Sequence, residues 1–282
     1  MNVIFLIAVV CGVCAQQATK KSYSKKTQGK GILLFGTVAV FASALFFLVT
    51  ARKLEWNPAI IPYSVAFAVF FGMAIVFGTF AVSCGPLSFT ALVTSYSLIL
   101  PTFFGLFFLK ESLRFGLIPG LILLFLSIYL INRKNETIPV TPRWILYAVL
   151  LFIGNGSCSA VQKLQQSVFK GEYKNEFMFL ALVLVFTALL ILTLLREREE
   201  LLPCLKCGWW MGLGYGVVNG LCNFLTIVLA NRLPASLMFP TISAGGVVAT
   251  FFVSTLFYKE KLSRQQIIGF AIGAASVVLL NL

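Results

Sequence analysis

The sequence contains neither histidine nor aspartate, so all nine acidic residues are glutamates. Sites that need those side chains are excluded: histidine-ligated metal centres, Ser-His-Asp triads and paired catalytic aspartates. Cys, Glu, Lys, Ser and Tyr remain for chemistry. We therefore expect no metal ion, no cofactor and no enzymatic activity.

Charge is also scarce along the chain. Only 11% of the 282 residues are charged, whereas 59% are hydrophobic and the mean hydropathy is +0.95. A soluble domain usually has about 25% charged residues, so we predict a polytopic membrane protein. The net charge of +13 does not indicate nucleic-acid binding, because the charges are scattered between apolar runs.

Ten apolar segments follow one another, and none contains Lys, Arg or Glu. A membrane crossing needs about 20 apolar residues, and a spanning segment must satisfy its own backbone hydrogen bonds. We therefore predict an all-α integral membrane protein with ten transmembrane helices. Residues 1–15 could also be a signal peptide, although they lack a basic region. The segments are Asn2–Ala18, Gly31–Ala51, Ile60–Ser83, Pro86–Leu109, Phe115–Asn132, Trp144–Gln162, Phe177–Leu195, Cys207–Ala230, Pro234–Tyr258 and Ile267–Leu282.

The seven cysteines do not have the spacing of a small disulfide-linked domain. Cys204 and Cys207 form a C-x-x-C pair, but no second ligand pair or thioredoxin-like context accompanies it. We therefore interpret both cysteines as structural residues.

An internal repeat relates the two halves of the chain. A shift of 149 residues aligns residues 108–132 with 257–281, and nine of these 25 positions are identical, including Lys-Glu, Gly, Ser and Asn in register. Each half is predicted to contain five helices, and an odd number gives the halves opposite orientations in the membrane. The predicted units are residues 1–134 and 143–282, joined by a linker at 135–142. Such inverted repeats commonly form transporters with a central substrate site.

The sequences Phe-Phe-Leu-Lys-Glu-Ser-Leu (107–113) and Phe-Tyr-Lys-Glu-Lys-Leu-Ser (257–263) each follow an apolar segment, and a glycine and a further apolar segment come next. This doubled pattern resembles the EamA-type units of the drug/metabolite transporter superfamily. The resemblance implies ten helices and alternating access through a central cavity. Small multidrug-resistance relatives use a Glu in the first helix for proton coupling, but the ten segments here contain no acid.

Uncharged polar residues inside the segments are the candidate substrate-binding residues. A buried Asn is costly in a membrane unless it is paired or faces a polar cavity, so two on one helical stripe favour a cavity wall or an interhelical hydrogen-bond network. The candidates are Thr94, Ser97, Asn155, Gln162, Tyr215, Asn219, Asn223, Thr241 and Ser243. Because they are uncharged, we expect a neutral, zwitterionic or amphipathic substrate.

Two further sets of residues are assigned to structure or gating. The repeated pairs Lys110-Glu111 and Lys259-Glu260 either form a gate or stabilise a turn between helices. The eighth segment carries a stripe of small residues that lets another helix approach closely. The stripe consists of Gly208, Gly212, Gly216 and Gly220.

The predicted function is secondary transport of small metabolites or drugs in a multi-pass plasma-membrane protein of a prokaryote. The alternatives are a non-transporting membrane subunit or sensor, and a membrane-embedded thiol enzyme. The predicted partners are a small-molecule substrate and the lipid bilayer, with no nucleic acid, and a homodimer stays open. Both termini are expected on one side. The connections on the side of the termini contain 8 Lys and Arg, and those on the other side contain 14. Because Lys and Arg are more frequent in cytoplasmic loops, this count places the termini outside, whereas the family resemblance places them in the cytoplasm.

Overall fold

The computed structural model describes residues 2–51, 55–84, 93–94, 96–111, 115–132, 141–258 and 263–280. Within them the chain forms ten α-helices and two short 3-10 turns, and no strand. The helices, numbered α1 to α10, are Asn2–Lys26, Ile32–Thr50, Ile61–Cys84, Ile99–Phe107, Leu117–Asn132, Pro142–Val168, Lys174–Arg196, Leu201–Ala230, Ala235–Tyr258 and Arg264–Leu280.

The helices match the ten predicted segments in order, and the predicted all-helical membrane class is confirmed. Six of the helices (α1, α2, α3, α6, α7 and α8) contain, within the described residues, a stretch long and apolar enough to cross a membrane. The described part of the fourth segment contains the short helix α4, and residues 85–92 and 95 of that segment lie outside the described residues. Most of the proposed linker also lies outside them.

Three of the predicted boundaries were wrong by six residues or more. Helix α1 continues from Ala18 to Lys26, α6 continues from Gln162 to Val168, and α8 begins at Leu201 rather than Cys207. A hydropathy boundary marks where apolar residues stop, whereas a helix ends only where its backbone hydrogen bonds stop. The extension of α6 matters most, because it places Lys163 inside a helix.

Matched helices of the two halves pack against each other. Helices α5 and α10 run antiparallel, since Ser127 lies beside Gly269 and Ser276 lies beside Gly120. The Ser127 hydroxyl donates to the Gly269 carbonyl at 2.7 Å, and the Ser276 hydroxyl donates to the Gly120 carbonyl at 2.8 Å. These four residues are two repeat-matched pairs at the 149-residue shift.

Helices α2, α3, α6, α7 and α8 form the centre of the bundle. Their largest buried cluster is built around Phe47, Phe67 and Phe177, all almost fully inaccessible. Helix α2 lies between α7 and α8, and α6 lies between α3, α4 and α8. This arrangement brings the polar stripes of α6 and α8 together.

Candidate functional site

A chain of uncharged side chains connects α6, α8 and α2. The Gln162 amide donates to Asn223 Oδ1 at 3.1 Å, and the Asn223 amide donates to the carbonyl oxygen of Asn219 at 2.9 Å and to its Oδ1 at 3.2 Å. Asn219 Nδ2 then donates to Ser43 Oγ at 3.1 Å, and Ser43 donates to the Gly216 carbonyl at 2.8 Å. Gln162 and Ser43 are buried, while Asn219 and Asn223 are half-buried. We call Ser43, Gln162, Asn219 and Asn223 the amide network.

A second polar cluster joins α6 to the segment that leads into α4. Asn155 Nδ2 donates to Ser97 Oγ at 2.6 Å and to the Thr94 carbonyl at 3.4 Å. Ser97 Oγ also donates to the Thr94 carbonyl at 2.6 Å. The predicted site residues Thr94, Ser97 and Asn155 therefore lie together.

Both groups of residues lie along one face of α6. Asn155, Ser159 and Gln162 follow at intervals of four and three residues, which places them on one side of the helix. At 1.5 Å per residue, Asn155 and Gln162 are about 10 Å apart along the axis. Together they form a polar wall of uncharged donors and acceptors in an otherwise apolar bundle.

The other predicted site residues lie on α8 and α9. Tyr215 packs edge-on against Phe35, with 5.1 Å between the ring centroids. Thr241 is 7% exposed, and its hydroxyl oxygen has no hydrogen-bond partner among the described residues. Ser243 lines a small pocket together with Tyr96 and Pro240. The structure thus divides the nine candidates between the amide network, the Asn155 cluster and these outlying positions.

A buried ion pair joins the two halves at the turn after α4. Lys163 Nζ lies 3.3 Å from Glu111 Oε1, and both side chains are largely buried. Glu111 also accepts the backbone N–H groups of Ala235 at 2.9 Å and Ser236 at 3.2 Å, which are the first residues of α9. Its negative charge is therefore at a helix N-terminus, where a negative charge is stabilised.

Lys163 makes the complementary contacts at the end of α8. Its ammonium donates to the carbonyl of Ala230 at 2.8 Å and to that of Leu233 at 2.6 Å. With Glu111, these acceptors occupy all three N–H donors of the lysine. The Glu111–Lys163 pair thus holds the α8–α9 connection against α6 and the α4–α5 turn.

The local backbone explains why Glu111 reaches this position. Lys110, whose side chain is exposed, has a φ of 53°, so the chain reverses immediately before Glu111. A Cβ on Gly105 would lie 2.6 Å from Glu111 Oε2 and 2.7 Å from Ala235 Cβ, so only glycine leaves room for the carboxylate. Lys259 and Glu260, the repeat-matched pair, lie outside the described residues.

The four glycines of the α8 stripe are all buried and face α1 and α2. A Cβ on Gly208 would lie 2.7 Å from the Tyr23 ring, and one on Gly212 would lie 2.8 Å from Val38 Cγ1. A Cβ on Gly216 would lie 2.2 Å from the Ala39 carbonyl oxygen, and one on Gly220 would lie 2.9 Å from the Phe46 ring. The stripe brings α2 close enough for Ser43 to reach α8.

Sequence reasoning missed Ser43 and the burial of Lys163. Ser43 is a single hydroxyl in an apolar segment, where Ser usually bonds back to its own helix. Its one hydrogen is shared between the Ala39 carbonyl at 2.9 Å and the Gly216 carbonyl. Lys163 was placed just beyond its segment. Lys163 directly follows Gln162, which lies on the polar face of α6. This adjacency was the signal in the sequence that could have indicated that Lys163 is buried.

Comparisons with known proteins identify both a family and a fold. The model of the EamA-like transporter family matches residues 142–282, which contain helices α6 to α10 and make up half of the chain. A crystal structure of another protein superposes with a TM-score of 0.82 at 13% sequence identity, covering 99% of this chain and 95% of that chain. At this identity the likeness concerns the fold alone. Among curated proteins, no sequence matches.

Proposed function

The chain belongs to the EamA-like transporter family, and we propose on that basis that it carries small organic solutes across a membrane by alternating access. The family match confirms the resemblance inferred from the doubled Lys-Glu pattern. Together with the apolar helices, it identifies the chain as a multi-pass membrane protein. The substrate and the mechanism are our proposals.

The amide network is the observation that carries the proposal. It combines three amide side chains and a hydroxyl from three helices at the centre of the bundle. Buried amides offer donors and acceptors that a polar solute can exchange for the contacts within the network. Asn219 and Asn223 are half-buried, so the network is partly accessible.

The charges of the site favour an uncharged or zwitterionic solute. Lys163 is the cation nearest in sequence to Gln162, but Glu111 and two carbonyls occupy its donors. Arg232 is exposed at the α8–α9 turn, where its guanidinium lies 5.8 Å from the centre of the Phe5 ring. Neither of these cations is aimed at the amide network, so nothing in these contacts compensates a full negative charge there.

Two inverted five-helix repeats are the proposed architecture for alternating access. The reciprocal hydrogen bonds between Ser127 and Gly269 and between Ser276 and Gly120 support this arrangement. They pair matched positions of antiparallel helices, as a two-fold axis between the halves requires. Rocking of one half against the other would expose the polar face of α6 to each side in turn.

The test measures solute flux after the amide network is changed. A thermal-shift panel of neutral, zwitterionic, anionic and cationic metabolites first identifies a ligand, because binding to the folded state raises the melting temperature. Flux of that ligand is then measured in proteoliposomes containing Asn219→Leu or Asn223→Leu. Each variant removes hydrogen bonds worth about 1–3 kcal/mol, so we expect flux to fall about fivefold or more.

Val217→Leu is the matched control, because Val217 is on the same helix and 50% exposed on its outer surface. It should leave flux and folding unchanged. Unchanged flux in both Asn variants, with a loss of stability, would show that the amide network only holds the helices together.

A further inference from the structure

Lysines and tryptophans meet where α1 ends and α8 begins. The stretch 20–30 contains five lysines, and Lys25 and Lys26 form the last turn of α1 with exposed side chains. Lys26 Nζ lies 5.8 Å from the centre of the Trp210 ring. Lys25, Lys26, Lys206, Trp209 and Trp210 are called the lysine–tryptophan surface below.

The lengths of the two helices place this surface at the membrane boundary. Helix α8 has 30 residues, which at 1.5 Å per residue is about 45 Å, against a hydrocarbon core of about 30 Å. The charged Lys206 lies in its second turn, and no charged residue follows up to Ala230, so the turns before Cys207 extend beyond the core. Trp209 and Trp210 are 53% and 55% exposed, and exposed tryptophans of this kind lie at the level of the lipid headgroups.

The end of α1 is held firmly at the same level. Tyr23 is buried against Gly208 and donates its hydroxyl to the Gly31 carbonyl at 2.9 Å. Farther along the same pair of helices, Gly12 lies against Cys222, so α1 and α8 run antiparallel. Lys25 and Lys26 are therefore held beside the first turns of α8 on a packed helix.

Two nearby acids, Glu197 and Glu200, are committed to other groups. Glu197 accepts the backbone N–H groups of Leu33 and Leu34 at 3.1 and 2.9 Å, at the start of α2. Glu200 accepts the Gly31 N–H at 3.1 Å and pairs with Lys30 at 3.5 Å. Neither contact involves Lys25 or Lys26, which stay exposed.

We propose that the lysine–tryptophan surface binds the headgroups of anionic phospholipids. Clusters of basic residues next to a membrane span attract anionic lipids, and each lysine near the surface contributes a factor of about five in affinity. The lysines attract the phosphate charge, while the tryptophan rings occupy the interface beside the same headgroup. This binding does not depend on transport.

The experiment uses fluorescence quenching of Trp209 and Trp210 by brominated lipids. The full chain with Trp56→Phe and Trp144→Phe is reconstituted in phosphatidylcholine vesicles that contain brominated phosphatidylglycerol or brominated phosphatidylcholine. We expect stronger quenching by the anionic lipid, and this preference should weaken at high ionic strength because salt screens exposed charges.

Changing the lysines tests their contribution directly. Lys25→Gln with Lys26→Gln should reduce the preference for the anionic lipid by about tenfold or more, whereas Lys25→Arg with Lys26→Arg should retain it. Lys170→Gln is the matched control, because Lys170 is exposed and its neighbour Gly171 lies against Asn231 at the other end of α8. It should leave the preference unchanged. Equal quenching by the two lipids, or an unchanged preference in the glutamine variant, overturns the proposal.

Discussion

Replacing Lys163 by methionine should destabilise the folded protein strongly. Methionine has a similar length but no charge, so the substitution leaves Glu111 buried without its cation and removes the donors that Ala230 and Leu233 accept. Breaking a buried ion pair by removal of one partner costs about 3–5 kcal/mol. Glu111 retains the N–H groups of Ala235 and Ser236. We therefore expect a loss near the lower end, about 3 kcal/mol.

The assay is equilibrium unfolding in mixed micelles by increasing fractions of sodium dodecyl sulfate, followed by far-ultraviolet circular dichroism. Lys170→Met is the control, because it makes the same substitution at an exposed lysine and should change stability by no more than about 0.5 kcal/mol.

A double variant, Lys163→Met with Glu111→Gln, separates the charge from the shape of the site. The glutamine still offers an oxygen to the start of α9 but carries no charge, so the double variant should be more stable than Lys163→Met alone. The reasoning is refuted if Lys163→Met is no less stable than Lys170→Met. It is also refuted if the two single changes add without coupling.

The glycine and serine variants below are measured with the same unfolding assay. Gly216→Ala should lower stability by more than about 1 kcal/mol, because its Cβ would lie 2.2 Å from the Ala39 carbonyl oxygen. Gly214→Ala is the control and should not lower stability, because the space around Gly214 is open. Equal effects of the two substitutions would refute close packing at Gly216. Ser127→Ala and Ser276→Ala should each cost about 0.6 kcal/mol, and a loss at only one of them would contradict a two-fold contact between α5 and α10. The effects of Asn219→Leu and Asn223→Leu on flux test the proposed site. The effect of the Lys25 and Lys26 variants on lipid preference tests the lysine–tryptophan surface.

The number and order of helices could be predicted because hydrophobic length is a local property. The bilayer requires long apolar runs, and each run is visible without knowing its neighbours. Helix ends were less accessible to this reasoning, as α1 and α6 show. Helix α1 continues past its first lysines because Tyr23 packs against Gly208 of α8, and α6 continues because Lys163 pairs with Glu111.

The candidate site could be predicted only in part, because its contacts join residues distant in sequence. Asn219 and Asn223 were identified from their spacing on one helix, and the structure does place their side chains in contact. Ser43 is 176 residues away from Asn219, and no local pattern relates the two. The partner of Lys163 is likewise 52 residues away in the other half, a distance at which periodicity carries no information.

The repeat was an exception, because symmetry makes a distant contact visible in the sequence. Ser127 and Gly120 match Ser276 and Gly269 at a constant shift. These four of the matched residues form the hydrogen bonds between α5 and α10, as the proposed two-fold axis would require.

A helix surface that fits an inverted copy of itself can form from one gene before any duplication. In the α5–α10 contact, each helix offers a serine hydroxyl and a glycine carbonyl to the same two groups of its partner. If the two halves are inverted repeats, as proposed, a single five-helix unit inserted in both orientations would already possess this contact as a homodimer. Fusion of two such copies into one chain would preserve the interface. The sequences of the two halves could then diverge at residues outside the α5–α10 contact.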